Sequence, residues 1–216
     1  AVSADWQRRA ELAEAKAAVQ RFDGWLQLRN RQLIGTEVRV DGTITVPSGT
    51  ARVRGSIDRL ERDAEGAYYV VDLKTGTSQS DEIKQSHRLQ IGVYQAVVAS
   101  GGVEAIGPAS VSGAELVHLR IGAGIGQANP KVDYQSGLVD VPWPDEAEPV
   151  DGCCNWVEAS VDKALRIVTS GEYPAIANRG CGHCPARAGC PPLETMDQAT
   201  VGSDRRWRVT GRSREE

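Results

Sequence analysis

No cysteine precedes Cys153 in this 216-residue chain, no apolar run is long enough to cross a membrane, no segment repeats, and no Gly-x-x-x-x-Gly-Lys loop occurs. Each absence removes a class of function. A bilayer-spanning helix needs about 20 consecutive apolar residues, so no membrane partner is expected. Without a phosphate-cradling glycine loop or any helicase motif, the chain does not hydrolyse ATP itself. Positive charge is not in excess either: Lys and Arg number 25 against 29 Asp and Glu, a formal net charge of −4. That balance argues against capture of nucleic acid by overall potential and leaves room for a local basic groove. No secretory signal is recognisable, which predicts a reducing, cytoplasmic setting.

What is present suits one α/β domain, with 40% hydrophobic and 25% charged residues. Trp6 to Ile34 reads as a long helix, with Leu12, Ala15, Val19, Phe22 and Leu26 recurring at helical spacing. Glu37 to Val46 and Ala51 to Glu61 read as a hairpin around Pro47-Ser48-Gly49, and Ala67 to Lys74 as a central strand. A helix over Asp81 to Ser100 and a strand over Ala114 to Ile121 follow. Gly122 to Pro149 reads as a loop with one short strand at Gly137 to Val141, and Asn155 to Ser170 as a helix stopped by Gly171. Domain 1–195 then gives way to a polar, arginine-containing tail over 196–216 that lacks periodicity and is expected to be disordered.

The chemistry concentrates between Gly55 and Tyr94. Gly55-Ser56-Ile57-Asp58-Arg59 precedes Val70-Val71-Asp72-Leu73-Lys74-Thr75-Gly76, and in an extended chain Asp72 and Lys74 project from one face. A single Asp-x-Lys triplet is commonplace on a solvated face. Here it ends a segment that is β-branched and apolar on both faces, where a carboxylate and an ammonium are costly to bury without a purpose. Breaking a phosphodiester builds negative charge, which a hard divalent cation can stabilise. Mg²⁺ or Mn²⁺ on the Asp58 and Asp72 carboxylates and the Leu73 carbonyl, with Lys74 at the attacking water or the phosphate, would meet that need.

Gln90 and Tyr94 stand four residues apart in the helical stretch and so share a face, from which an amide and a hydroxyl can reach a metal-bound water or a phosphate. Ordinary packing of the helix on the sheet explains them equally well. Arg52, Arg54, Lys74, Lys84, His87 and Arg88 cluster in sequence around the same region and form the candidate basic groove.

A second constellation is Cys181-Gly-His-Cys184 followed by Cys190. Three thiols this close indicate metal ligation, since a disulfide would leave one over. An iron-sulfur cluster and a zinc site both accept thiolates, and each normally takes four ligands. Cys153, Cys154 and His183 are the local substitutes for a fourth, although the paired cysteines read equally well as small buried hydrophobes.

Taken together, Gly-x-Ile-Asp-Arg, Val-Val-Asp-Leu-Lys-Thr-Gly and Gln-x-x-x-Tyr resemble the RecB-like branch of the PD-(D/E)xK nuclease superfamily. The resemblance implies a restriction-endonuclease-like α/β fold, a central mixed sheet flanked by helices. It implies catalytic roles for Asp58, Asp72, Lys74, Gln90 and Tyr94, a structural ion pair for Arg59 and Glu61, and a supporting role for Glu37. The cysteine trio resembles that of the iron-sulfur subgroup, which includes the AddAB and AdnAB helicase-nucleases. It implies a 4Fe-4S cluster on Cys181, Cys184 and Cys190 whose fourth cysteine lies upstream of the nuclease motifs. Since this sequence has no such residue, the resemblance implies a piece of a longer polypeptide.

The expected function is therefore a metal-dependent deoxyribonuclease domain. It would cut single-stranded DNA delivered by an attached helicase, beside a helicase-nuclease partner subunit, during processing of double-strand ends. The alternatives are a stand-alone exonuclease of the CRISPR-associated kind and a non-catalytic domain that binds DNA or braces a helicase. Intact Asp58, Asp72 and Lys74 weigh against the latter.

Overall fold

The computed structural model describes residues 2–76, 81–140, 143, 149–171, 179–185 and 187, with side chains at 2–4, 81–87, 125, 179 and 180 outside the description. The chain divides into two compact units, Ala1–Leu165 and Arg166–Glu216.

The first unit is built on one five-stranded sheet in the order β1-β2-β3-β4-β5. The elements of the chain in sequence are α1 (Val2–Gln27), β1 (Gln32–Val46), β2 (Gly49–Arg62), β3 (Tyr68–Lys74), α2 (Asp81–Ala99), β4 (Val111–Ala123), β5 (Asn129–Ser136) and α3 (Trp156–Ser170), the last of which runs across the division between the units. Neighbouring strands run antiparallel except β3 and β4, which are parallel and joined through α2. A parallel pair cannot be closed by a tight turn, so the helix is the expected connection. The sheet is mixed, as expected.

Strand β3 is apolar toward both faces because both are covered. Tyr69 and Val71 pack with Trp25, Phe22 and Leu26 of α1, while Val70 joins Ile91, Val97 and Val98 of α2. Side chains alternate along a strand, so Asp72 and Lys74 continue the Val70 side, toward α2.

Several boundaries differ from expectation, β4 among them, which extends to Val111 and Ala123. Helix α1 stops at Gln27, because Leu33 and Ile34, which extended its apolar pattern, belong to β1. The hairpin closes more tightly than expected, with Val46 paired to Gly49 across Pro47 and Ser48. The strand expected at Gly137–Val141 is absent from the described part of that range, where 138–140 form a turn; the strand lies earlier, as β5. β5 is a short edge strand in which Val132 and Tyr134 alternate with Lys131, Asp133 and Gln135.

Asn155 caps α3, accepting from the backbone N–H of Val157 at 3.1 Å and Glu158 at 3.0 Å, and Glu158 reaches back to the backbone N–H of Cys154 at 2.6 Å. This reciprocal arrangement satisfies helix-end donors that would otherwise lack partners. Cys153 and Cys154 precede the cap and lie outside the helix.

Candidate active site

β2, β3 and α2 bring Asp58, Asp72, Lys74 and Gln90 to one place. Where the β2–β3 pairing ends at Arg59 and Val71, the Asp58 side chain takes over: its Oδ2 accepts the backbone N–H of Leu73 at 2.7 Å. One carboxylate therefore sits at the peptide between the other two site residues. Lys74 Nζ lies 2.8 Å from Asp72 Oδ2 and donates to Gln90 Oε1 at 2.9 Å. The Asp72 side chain is 6% exposed and that of Lys74 18%, so the pair is largely removed from water. Its electrostatic attraction is correspondingly strong.

Tyr94 lands elsewhere on the same helix face. A Cβ at Gly55 would lie 3.0 Å from the Tyr94 hydroxyl, so the ring is seated over β2 at the glycine that opens the Gly-x-Ile-Asp-Arg motif. Gln90 thus reaches β3, while Tyr94 reaches β2. Glu37 lies between the register pairs Thr36–Arg59 and Val38–Ile57, level with Asp58, and accepts from Ser56 Oγ at 3.1 Å. Its φ of +50° is uncommon for a residue with a side chain.

The chemical capacity of this arrangement is defined by its donors. Two carboxylates and a backbone carbonyl are hard oxygen ligands, and among the described residues no group of three or more His, Cys, Asp or Glu side chains gathers as a metal cage. Mg²⁺ commonly binds through one or two carboxylates and keeps several waters, so a small oxygen set fits it better than it fits Zn²⁺ or a soft metal.

Of the expected basic groove, Arg52 and Arg54 are engaged with Asp41 at 2.7 and 3.2 Å. Arg88 is exposed, while the side chains of Lys84 and His87 lie outside the described residues. In the second unit, the Cys184 N–H donates to the Cys181 carbonyl at 3.3 Å and the Arg187 N–H to the Cys184 carbonyl at 3.1 Å, so the first two thiols of the trio lie in successive tight turns. Cys190 lies outside the described residues.

The sequence reading reached only one pair, Arg59 and Glu61, of a larger buried ionic cluster on the α1 side of the sheet. Arg29 pairs with both Glu61 and Glu115, the latter at 2.6 Å, and Arg59 pairs with Glu61 at 2.6 Å, as the Asp-Arg-x-Glu pattern implied. Both glutamates are fully buried, and the Arg29 guanidinium lies 4.4 Å from the centre of the Trp25 ring. Burial pushes the Glu115 carboxyl above its ordinary range against the pull of Arg29. Burial, reinforced by Glu115, pushes the Tyr69 phenol up to about 12. A glutamate inside an apolar strand, as in Gly113-Ala114-Glu115-Leu116-Val117, is the signal that would have revealed it.

A solved structure described as "Crystal structure of SSO0001" is similar at 18% identity with a TM-score of 0.43, over 73% of this chain and 59% of that one. This chain thus spans less than two thirds of that structure's length. No curated protein matches. The family model of the PD-(D/E)XK nuclease superfamily matches residues 1–191, and the chain belongs to that superfamily, whose members are generally metal-dependent nucleases that use Mg²⁺ or Mn²⁺.

Proposed function

We propose that the chain is a divalent-metal-dependent deoxyribonuclease that hydrolyses single-stranded DNA, and that Asp58, Asp72 and Lys74 form its catalytic centre. The observation that carries this reading is the convergence of Asp58 on the Leu73 backbone beside the Asp72–Lys74 pair. Asp58, Asp72 and the Leu73 carbonyl would hold Mg²⁺ or Mn²⁺. When bound, the ion would polarise the phosphodiester and lower the pKa of a coordinated water.

The protein's own groups supply the rest. Lys74, directed by Asp72 and Gln90, places a positive charge where the phosphate gains negative charge, and its N–H donors can hold the attacking water. Gln90 fixes the amine through the bond at 2.9 Å. Tyr94, over Gly55, offers a ring and a hydroxyl to the DNA strand along β2. Hydrolysis of labelled single-stranded DNA with Mg²⁺ or Mn²⁺ tests this reading. Loss of cutting with retained DNA binding in Asp72→Ala and Lys74→Ala supports it, and parental rates in both overturn it.

The family resemblance of the three motifs supports a finer setting, in which a helicase feeds single strands from broken double-stranded ends to this domain beside a partner subunit. Cys181, Cys184 and Cys190 then hold a 4Fe-4S cluster completed by a cysteine outside this sequence. Anaerobic reconstitution of this chain should therefore give little of the visible iron-sulfur absorption. A full four-iron cluster on this chain alone would show the fourth ligand to be local.

A further inference from the structure

We propose that His118 is a positioning residue for Lys74, held in one tautomer by Asp133. This rests on the catalytic reading of Lys74. Lys74 of β3 is in register with His118 of β4, and His118 in turn with Lys131 of β5, so three basic residues form one row across three strands. The adjacent row is Asp72, Leu116 and Asp133. Register partners share a face of the sheet. Leu116 and Ala114, two and four residues before His118, pack in the α2 core, which places His118 on the Lys74 side.

Neighbouring strands lie about 4.8 Å apart, so the stems of Lys74 and His118 stand side by side on the α2 face of the sheet. His118 is 4% exposed, and nothing in the hydrolytic chemistry of Asp58, Asp72 and Lys74 accounts for a buried imidazole one strand away.

Asp133 explains how the ring is held. Its Oδ2 lies 2.9 Å from His118 Nε2 and its Oδ1 lies 3.3 Å from Lys131 Nζ. A carboxylate paired with a lysine only accepts hydrogen bonds, so His118 Nε2 carries the proton, and in the neutral ring the lone pair is at Nδ1. Lys131 gives Asp133 a cation on its own strand, 3.3 Å away, which helps hold the carboxylate on β5. Lys74 is thereby bounded by Asp72 along its own strand, by Gln90 from α2 and by a polar imidazole from β4. The amine is held by Asp72 and Gln90 with the His118 stem beside its own in the next strand, and fixing a charged group in advance of reaction is a main source of electrostatic catalysis.

The test uses the chain as given, with single-stranded DNA and Mn²⁺, and compares the parent with His118→Gln, Asp133→Asn, Asp133→Leu and Lys74→Ala. For a positioning role, His118→Gln lowers kcat about tenfold while KM stays within about twofold, and Asp133→Leu lowers it more than Asp133→Asn, which keeps an acceptor for Nε2–H. A readout that needs no turnover is the ¹³Cε resonance of Lys74, assigned through Lys74→Arg, which shifts in His118→Gln while the lysines outside this row, Lys16, Lys84 and Lys163, keep theirs. If that resonance and kcat are both unmoved in His118→Gln, the proposal is overturned. If Lys74→Ala cuts at the parental rate, the catalytic reading fails as well. If Lys74→Ala is inactive while His118→Gln is normal in both readouts, this proposal alone falls. If His118→Gln does not fold, the Lys74 resonance in Asp133→Asn decides: a shift supports the proposal and no shift overturns it.

Discussion

The backbone N–H of Leu73 donates to Asp58 Oδ2 across 2.7 Å, so the strand that carries Asp72 and Lys74 is pinned to the strand that carries Asp58 at the site itself. An asparagine can replace that acceptor but not its charge. Asp58→Asn should therefore keep its thermal midpoint within a few degrees and lose metal-dependent cutting. Asp58→Ala leaves a strand-end N–H without its acceptor and should lose about 1–3 kcal/mol of stability in addition. Urea unfolding of the two variants, together with the DNA-cutting assay, separates the structural role from the chemical one.

Lys74 and Asp72 compensate each other in a largely dry setting. Lys74→Met removes the amine from this carboxylate and should cost about 3 kcal/mol, while the double variant Asp72→Asn with Lys74→Met should recover most of that loss without recovering activity. A double-mutant cycle on unfolding free energy reads this directly. Additive losses would show that the pair is not coupled.

Tyr94 depends on the absence of a side chain at Gly55. An added Cβ would meet the hydroxyl at 3.0 Å and the ring carbon Cε1 at 3.1 Å, so Gly55→Ala must displace the ring. The expected cost is about 1–3 kcal/mol, smaller when Tyr94→Leu removes the clash, and DNA affinity should fall in Gly55→Ala even where folding is retained. Fluorescence anisotropy with a labelled single strand measures that loss.

Arg29 closes the α1 side by bridging two fully buried glutamates on β2 and β4, the first of which also pairs with Arg59. Arg29→Met leaves both without their shared cation and should cost about 3–5 kcal/mol, close to unfolding a domain of ordinary stability. Arg29→Lys should recover little of it, since a point charge cannot serve Glu61 and Glu115 at once in the geometry of a guanidinium. Thermal unfolding of the two variants is the measurement.

Tyr69 predicts an alkaline limit. Its folded-state value of about 12 lies above the ordinary 10.0, so the folded chain holds the phenolic proton more tightly than the unfolded chain does. That contribution is complete below about pH 10 and is lost as pH rises through about 12, to a total of about 3 kcal/mol. Tyr69→Phe should flatten this part of the stability profile. It also gives up the hydrogen bond from the hydroxyl to the Ala114 carbonyl, at 3.2 Å, and so starts from lower stability at neutral pH. Absorbance titration near the tyrosinate band should show one phenol ionising late, and its absence in Tyr69→Phe identifies it.

Much of the fold was legible where one physical signal dominated. The β-branched run Tyr68–Lys74 could only be a strand covered on both sides, and the apolar spacing of α2 and α3 fixed their type and nearly their ends. Legibility failed where polar residues served a tertiary purpose. β5 was missed because an edge strand tolerates Lys131, Asp133 and Gln135, and the end of α1 was overrun because Leu33 and Ile34 fit a helix as well as a strand. Of the buried ionic cluster only the Arg59–Glu61 pair was legible, since Arg29 and Glu115 join it from elements that are distant in sequence.

The amino-acid order alone determined which groups are available for chemistry, because Asp72 and Lys74 two residues apart on an extended strand must share a face, whatever the rest of the chain does. It also determined the alternation of strand and helix that makes β3 and β4 parallel. Only the tertiary structure decided what meets what. Asp58 reaches Leu73, Gln90 reaches Lys74, Tyr94 settles over Gly55 and His118 joins the Lys74 row through strand register and helix placement. These are long-range outcomes of packing two helices on opposite faces of one sheet, and local sequence carries no term for them.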